Sequence, residues 1–140
     1  MSRTRTATAQ LLPKDDRLLP SEGQEQATLF NWAQMQSFVY PELRLMFHVP
    51  NGGSRNKAEA GRFKAEGVKA GVPDIFLPVP RCGMHGLFIE MKRLSGGKVS
   101  PEQKEWIDSL RREGYAAEVC HGWQEARNVI LNYLDAGRVH

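Results

Sequence analysis

Cysteine is scarce in this chain. Its two cysteines, Cys82 and Cys120, lie far apart and outside any Cys-x-x-Cys spacing. That excludes a disulfide framework and fits a reducing, cytoplasmic setting. Long apolar runs are absent as well: no segment approaches the roughly 20 residues of a membrane-spanning helix. Arg3 and Arg5 near the N-terminus have no apolar stretch behind them, so a secretory signal is not expected. The Gly52-Gly53 pair lacks a following Gly-Lys-Ser/Thr and is neither a P-loop nor a dinucleotide fingerprint. Charge of one sign is also limited. The net charge of +3 permits a polyanionic partner without demanding one. Internal repeats and low-complexity segments are missing. What remains is 25% charged and 41% hydrophobic over 140 residues, enough for one soluble domain with a single core.

Punctuation divides that domain. Residues 1–20 contain Thr, Arg and Pro without sustained periodicity and read as a flexible arm; residues 21–140 read as the folded unit. Ser21 and Gln24 form a capping box that opens a helix running to about Ser37. Leu29, Phe30 and Ala33 make its apolar stripe. Extended back by helical spacing, the stripe brings Gln26 and Glu22 inward and leaves Glu25 to the side, in line with Leu29 and Trp32. Pro41 ends this region. Leu43 to Val49 reads as a first strand, Pro50-Asn51-Gly52-Gly53 as a turn, and Asn56 to Glu66 as a short helix closed by Gly67. Val72 to Val79 and Leu87 to Lys92 are strands joined as a hairpin. Ser100 caps a further helix with Pro101 at its first position and Gln103 at the capping-box position. Tyr115 to Cys120 is the fourth strand and Trp123 to Leu134 the last helix. The order αβ(α)ββαβα predicts an α/β fold: a mixed sheet flanked by helices.

Two strands carry charge where buried strands ordinarily carry none. Side chains alternate along a strand, so Glu90 and Lys92 share one face while Leu87, Ile89 and Met91 take the other. Asp74 opens the preceding strand behind Pro73, which holds Val72 extended and has no N–H to donate. Two carboxylates and water are a usual ligand set for Mg²⁺ or Mn²⁺, and the backbone carbonyl of Met91 can serve as a third protein ligand. Lys92 beside them can hold an attacking water or stabilise charge on a phosphate. These are the parts that phosphodiester hydrolysis requires. The bland alternative is a solvated strand face with a loop acid nearby. Against it, the acids interrupt continuous apolar runs and a capped helix bearing Gln103 follows. Cys82, His85, Cys120 and His121 make a poor zinc set, because the adjacent Cys120 and His121 point to opposite faces of one strand.

Pro73-Asp74 with Glu90-x-Lys92 resembles the active-site motif of the PD-(D/E)XK nuclease superfamily. The flanking text is more specific. His48-Val-Pro-Asn-Gly-Gly-Ser-Arg55, Gly67-Val-Lys-Ala-Gly-Val-Pro-Asp74, Gly86-Leu-Phe-Ile-Glu-Met-Lys92 and Ser100-Pro-Glu-Gln-Lys-Glu-Trp106 together resemble the virus-type replication-repair nuclease (VRR-NUC) domain. The likeness runs from about Ser21 to Leu134. It implies a restriction-endonuclease-like fold and a metal-dependent DNA endonuclease, with Asp74 and Glu90 as metal ligands, Lys92 as the catalytic lysine and Mg²⁺ or Mn²⁺ as cofactor. It implies a glutamate on the first helix, for which Glu22 and Glu25 compete; Glu22 is favoured by the inward stripe. Gln103 matches a helix residue that points back at the site, a role that competes with capping for the same amide. Asn51, Gly52, Gly53 and Arg55 match a segment suited to close phosphate approach. Arg62, Lys64 and Lys69 are candidates to line the DNA path, and each has solvated surface as its alternative. For His48 a core or hydrogen-bonded histidine is the expectation over a ligand, and its nearness to Asn51 leaves a substrate role open. Free-standing members look like homodimers acting on branched DNA such as four-way (Holliday) junctions. Flap, nick or mismatch cleavage is an alternative, as is a DNA-binding module without catalysis.

Overall fold

The computed structural model describes residues 18–50 and 57–137. Its elements are α1 (Glu22–Gln36), a 3₁₀ turn (Pro41–Leu45), β1 (Phe47–His48), α2 (Lys57–Ala65), β2 (Ile75–Leu77), β3 (Leu87–Lys92), α3 (Pro101–Arg112), β4 (Ala116–His121) and α4 (Trp123–Asp135). The strands form one mixed sheet in the order β1-β2-β3-β4. β1 and β2 run antiparallel, as do β2 and β3, while β3 and β4 are parallel. The β3–β4 connection passes through α3, the crossover that a parallel pair requires. Among the described residues no helix is long and apolar enough to cross a membrane. The expected element order is the observed one.

The core lies on one face of the sheet. Leu87, Ile89 and Met91 of β3, Ile75 and Leu77 of β2 and Cys120 of β4 pack there against Leu29 and Ala33 of α1 and Ala126, Ile130 and Leu134 of α4. Each helix contributes residues four apart, one row along its axis. Burial in this core pushes the Cys120 thiol up to about 12, so it behaves as a small hydrophobe. Leu19 is also buried, so packing begins two residues before the Ser21 cap. The rest of the expected arm, residues 1–17, lies outside the described residues.

Three sequence expectations need correction. The strand expected at Leu43–Val49 is a 3₁₀ turn followed by a two-residue strand. Pro41 suits the first turn of a helix, and the buried residues Leu43 and Met46 recur at a spacing of three rather than alternating. The strand expected at Val72–Val79 shrinks to Ile75–Leu77. Pro73 and Pro78 flank it and can donate nothing to a ladder. Glu22, expected to complete the site, is exposed, and Glu25 takes the buried place. The buried row runs through residues 25, 29 and 33, each four apart; Glu22, seven before Leu29, shares that face but lies a turn nearer the helix start, where it stays exposed.

Gly71 sets how this frame closes on the site. Its φ of +91° is a left-handed value, and a Cβ there would sit 2.7 Å from the backbone carbon of Glu102. The loop leading into Asp74 thus presses directly on the first turn of α3.

Candidate active site

The second sheet face carries the polar groups. β2 and β3 pair Phe76 with Phe88 and Ile75 with Ile89; continued two residues beyond Phe76 and Phe88, the register sets Asp74 opposite Glu90. The Asp74 side chain closes this end of the hairpin: its Oδ2 accepts the Met91 N–H at 2.8 Å. A strand residue's N–H and C=O project to the same side, so the Met91 carbonyl points toward the Asp74 carboxylate as well. His48 sits on the other side of Asp74, with Nδ1 2.9 Å from the Asp74 carbonyl oxygen. It is an exposed, hydrogen-bonded histidine.

Glu90 and Lys92 are only 2% and 5% exposed. Charged groups so buried require partners. Lys92 Nζ donates to Gln103 Oε1 at 3.0 Å and lies 3.5 Å from Glu90 Oε2. Gln103 Nε2 donates to the same Glu90 oxygen at 3.1 Å. The other oxygen, Glu90 Oε1, is buried and has no hydrogen-bond partner. Burial first, and then the Asp74 carboxylate, push the Glu90 carboxyl up to about 8, against the opposing pull of Lys92. A carboxylate shielded from water, facing a second carboxylate and keeping one oxygen free, is a group arranged for a cation.

The two roles weighed for Gln103 coexist. Its Oε1 accepts from both Ser100 N at 2.9 Å and Lys92 Nζ, and Ser100 Oγ accepts the Gln103 N–H at 3.1 Å. A carbonyl oxygen has two lone pairs, so one amide closes the capping box, holds the lysine and orients Glu90. Helix capping therefore fixes the site geometry. In Gln103→Ala, Lys92 and Glu90 lose their common partner, and stability is expected to fall by roughly 1 to 3 kcal/mol, the cost of leaving buried polar groups unpaired. Thermal melts measure it; an unchanged Tm contradicts the role.

Other candidates stand apart. Arg62, Lys64 and Lys69 are exposed and stand apart from Asp74, Glu90, Lys92 and Gln103. Asn51, Gly52, Gly53 and Arg55 lie outside the described residues. His121 Nδ1 is 3.0 Å from the Arg93 carbonyl oxygen, and Cys82 is exposed. Sequence reasoning missed the contact made by Glu25. This residue is 3% exposed and accepts the Trp123 N–H at 3.0 Å. Its four-residue spacing from Leu29 was the available signal.

A mixed sheet with Asp74 just ahead of one strand and Glu90-x-Lys92 on the next, braced by a helix glutamine, has the layout of a nuclease-type domain. The VRR-NUC domain family pattern matches residues 20–124. A solved structure described as a VRR_NUC domain protein is 36% identical, with a TM-score of 0.74 and coverage of 84% of this chain and 91% of that one. No curated protein matches the chain. The chain belongs to the VRR-NUC domain family, and its fold is the α/β fold of that family.

Proposed function

We propose that this protein is a divalent-metal-dependent DNA endonuclease that acts on branched DNA, four-way junctions in particular, as a homodimer. The observation that carries the metal-site reading is Glu90 Oε1, a buried acceptor without a partner next to a second carboxylate. Asp74 and Glu90, with the Met91 carbonyl, would hold Mg²⁺ or Mn²⁺. Among the described residues no three His, Cys, Asp or Glu side chains form a closed cage. Two carboxylates fit Mg²⁺, which keeps several of its waters. Once bound, such an ion polarises a phosphoryl oxygen and acidifies a water molecule. The remaining work falls to the chain itself. Lys92, held by Gln103, keeps an ammonium beside Glu90, placed to offset charge developing on a phosphate. Asp74 is only partly buried, which leaves the site open on its side.

The branched-DNA reading rests on the likeness to free-standing VRR-NUC domains. Resolving a junction takes two cuts, and a homodimer supplies two sites. Met35, Phe38 and Val39, exposed at the end of α1, offer apolar surface for a second copy. The free thiols of Cys82 and Cys120 accord with a reducing cytoplasm.

The test compares initial cleavage rates in Mn²⁺ on a four-way junction, a flap, a nicked duplex, a mismatch and a linear duplex. The junction is expected to be cut fastest, by paired incisions. A faster flap, nick or mismatch assigns the same chemistry to that substrate. DNA binding with no cleavage of any substrate leaves a binding module and overturns the enzyme reading.

A further inference from the structure

We infer that Glu25 is a positioning residue that fixes the end of the catalytic strand through the N-terminus of α4, and is not a metal ligand. The inference rests on the nuclease reading above. Helix α4 starts without a cap of its own: its N-cap is Gly122, with φ 86° and no side chain to accept a hydrogen bond. The first N–H groups of a helix need acceptors from elsewhere. Glu25 supplies one from the far end of the chain, its Oε1 accepting the Trp123 N–H at 3.0 Å. A buried carboxylate at that position also complements the helix dipole.

The same turn holds β3. Gly122 N donates to the Lys92 carbonyl at 2.9 Å. The Gly122 φ of +86° is a conformation that side-chain-bearing residues rarely adopt, and a Cβ there would lie 2.5 Å from Leu94 Cδ2 and 3.7 Å from Glu25 Oε2, so this turn takes glycine and lies against both residues. Glu25 thus grips Trp123, whose neighbour Gly122 grips Lys92. The link runs through backbone amides and ends on the residue whose ammonium faces Glu90.

Direct ligation is disfavoured by the side of approach. Helix α1 packs with Leu87, Ile89 and Met91 on the core face. Glu90 and Lys92, alternating with these, project from the opposite face. One Glu25 oxygen is already committed to an amide, and no third acid joins Asp74 and Glu90 among the described residues.

Conservative variants separate the two roles, because glutamine keeps the acceptor and loses the charge, while aspartate keeps the charge and falls one methylene short. On the DNA that wild type cuts fastest, Glu25→Gln is expected to keep kcat within about threefold of wild type. Glu25→Ala and Glu25→Asp are expected to lose roughly 10- to 100-fold in kcat, with KM for DNA and the half-saturating Mn²⁺ concentration unchanged. A ligand role reverses the order, with Asp above Gln and the Mn²⁺ requirement raised in Gln. A purely structural role lowers Tm and leaves kcat per folded molecule unchanged. Either result overturns the inference. Hydrogen exchange at the Trp123 and Gly122 amides reads the link without cleavage, so it holds even if the nuclease reading fails. Exchange is expected to be slow in wild type and Glu25→Gln, and roughly tenfold faster in Glu25→Ala. If the alanine variant does not fold, the aspartate variant takes its place. Equal exchange in all variants sinks the link.

Discussion

Lys92→Ala is expected to abolish most cleavage and leave DNA binding in place. The ammonium is 5% exposed, 3.0 Å from Gln103 Oε1 and 3.5 Å from Glu90 Oε2. On the proposed reading it would face the charge that develops during phosphodiester cleavage, and removing one such preorganised group costs roughly 100- to 1000-fold in kcat. The substitution also leaves Glu90 without the cationic neighbour it has among the described residues, so its carboxyl should rise further. That second effect adds to the loss at neutral pH. Salt-dependent DNA binding comes from exposed basic residues rather than from this buried lysine, so affinity measured in EDTA should change little. Single-turnover rates with enzyme in excess, set beside binding isotherms, separate the two quantities. A variant that binds and cuts like wild type removes Lys92 from the chemistry.

The second large effect is on stability. The folded Glu90 carboxyl holds its proton up to about pH 8, against 4.5 for the free side chain. The folded state therefore binds more protons than the unfolded state between these two values. Stability falls wherever the folded state binds more protons and pH is raised. Metal-free protein should lose stability between about pH 4.5 and pH 8, by an amount on the order of a few kcal/mol, and level off above that range. Glu90→Gln carries no such proton and should flatten most of the slope. Mn²⁺ should raise the Tm of wild type by several degrees at a hundredfold excess over its Kd, where binding contributes about 2.7 kcal/mol. The Gln variant should gain little. Thermal melts from pH 5 to 9, in EDTA and in Mn²⁺, measure all of this. Parallel pH slopes in both proteins would show that another group carries the strain.

The sequence was most legible where one signal served two levels at once. Ser100, Pro101 and Gln103 announced a helix start, and the same capping geometry delivers Gln103 to Lys92 and Glu90. The strand Leu87–Lys92 was readable to the residue, because period-two alternation splits its core side chains from its charged ones. Legibility failed where tertiary contacts decide. Glu22 and Glu25 both follow a capping serine and both complement a helix dipole. Which one is buried depends on how far along α1 the packing against α4 reaches: it covers Glu25 and leaves Glu22, a turn earlier, in solvent. The partner of Glu25 is an amide 98 residues away. No local pattern marks such a pairing. Local alternation likewise suggested a long first strand. The packing of Leu43 and Met46 chose a 3₁₀ turn instead.

The central claim is that Asp74, Glu90 and Lys92 form one metal-loaded hydrolytic site. Cleavage of a four-way junction by wild type and Glu90→Gln, each in Mn²⁺ and in EDTA, tests it most directly. Wild type is predicted to cut in Mn²⁺ and not in EDTA, and Glu90→Gln to cut in neither. Equal Mn²⁺-dependent cutting by both proteins, or cutting by wild type in EDTA, would contradict the account.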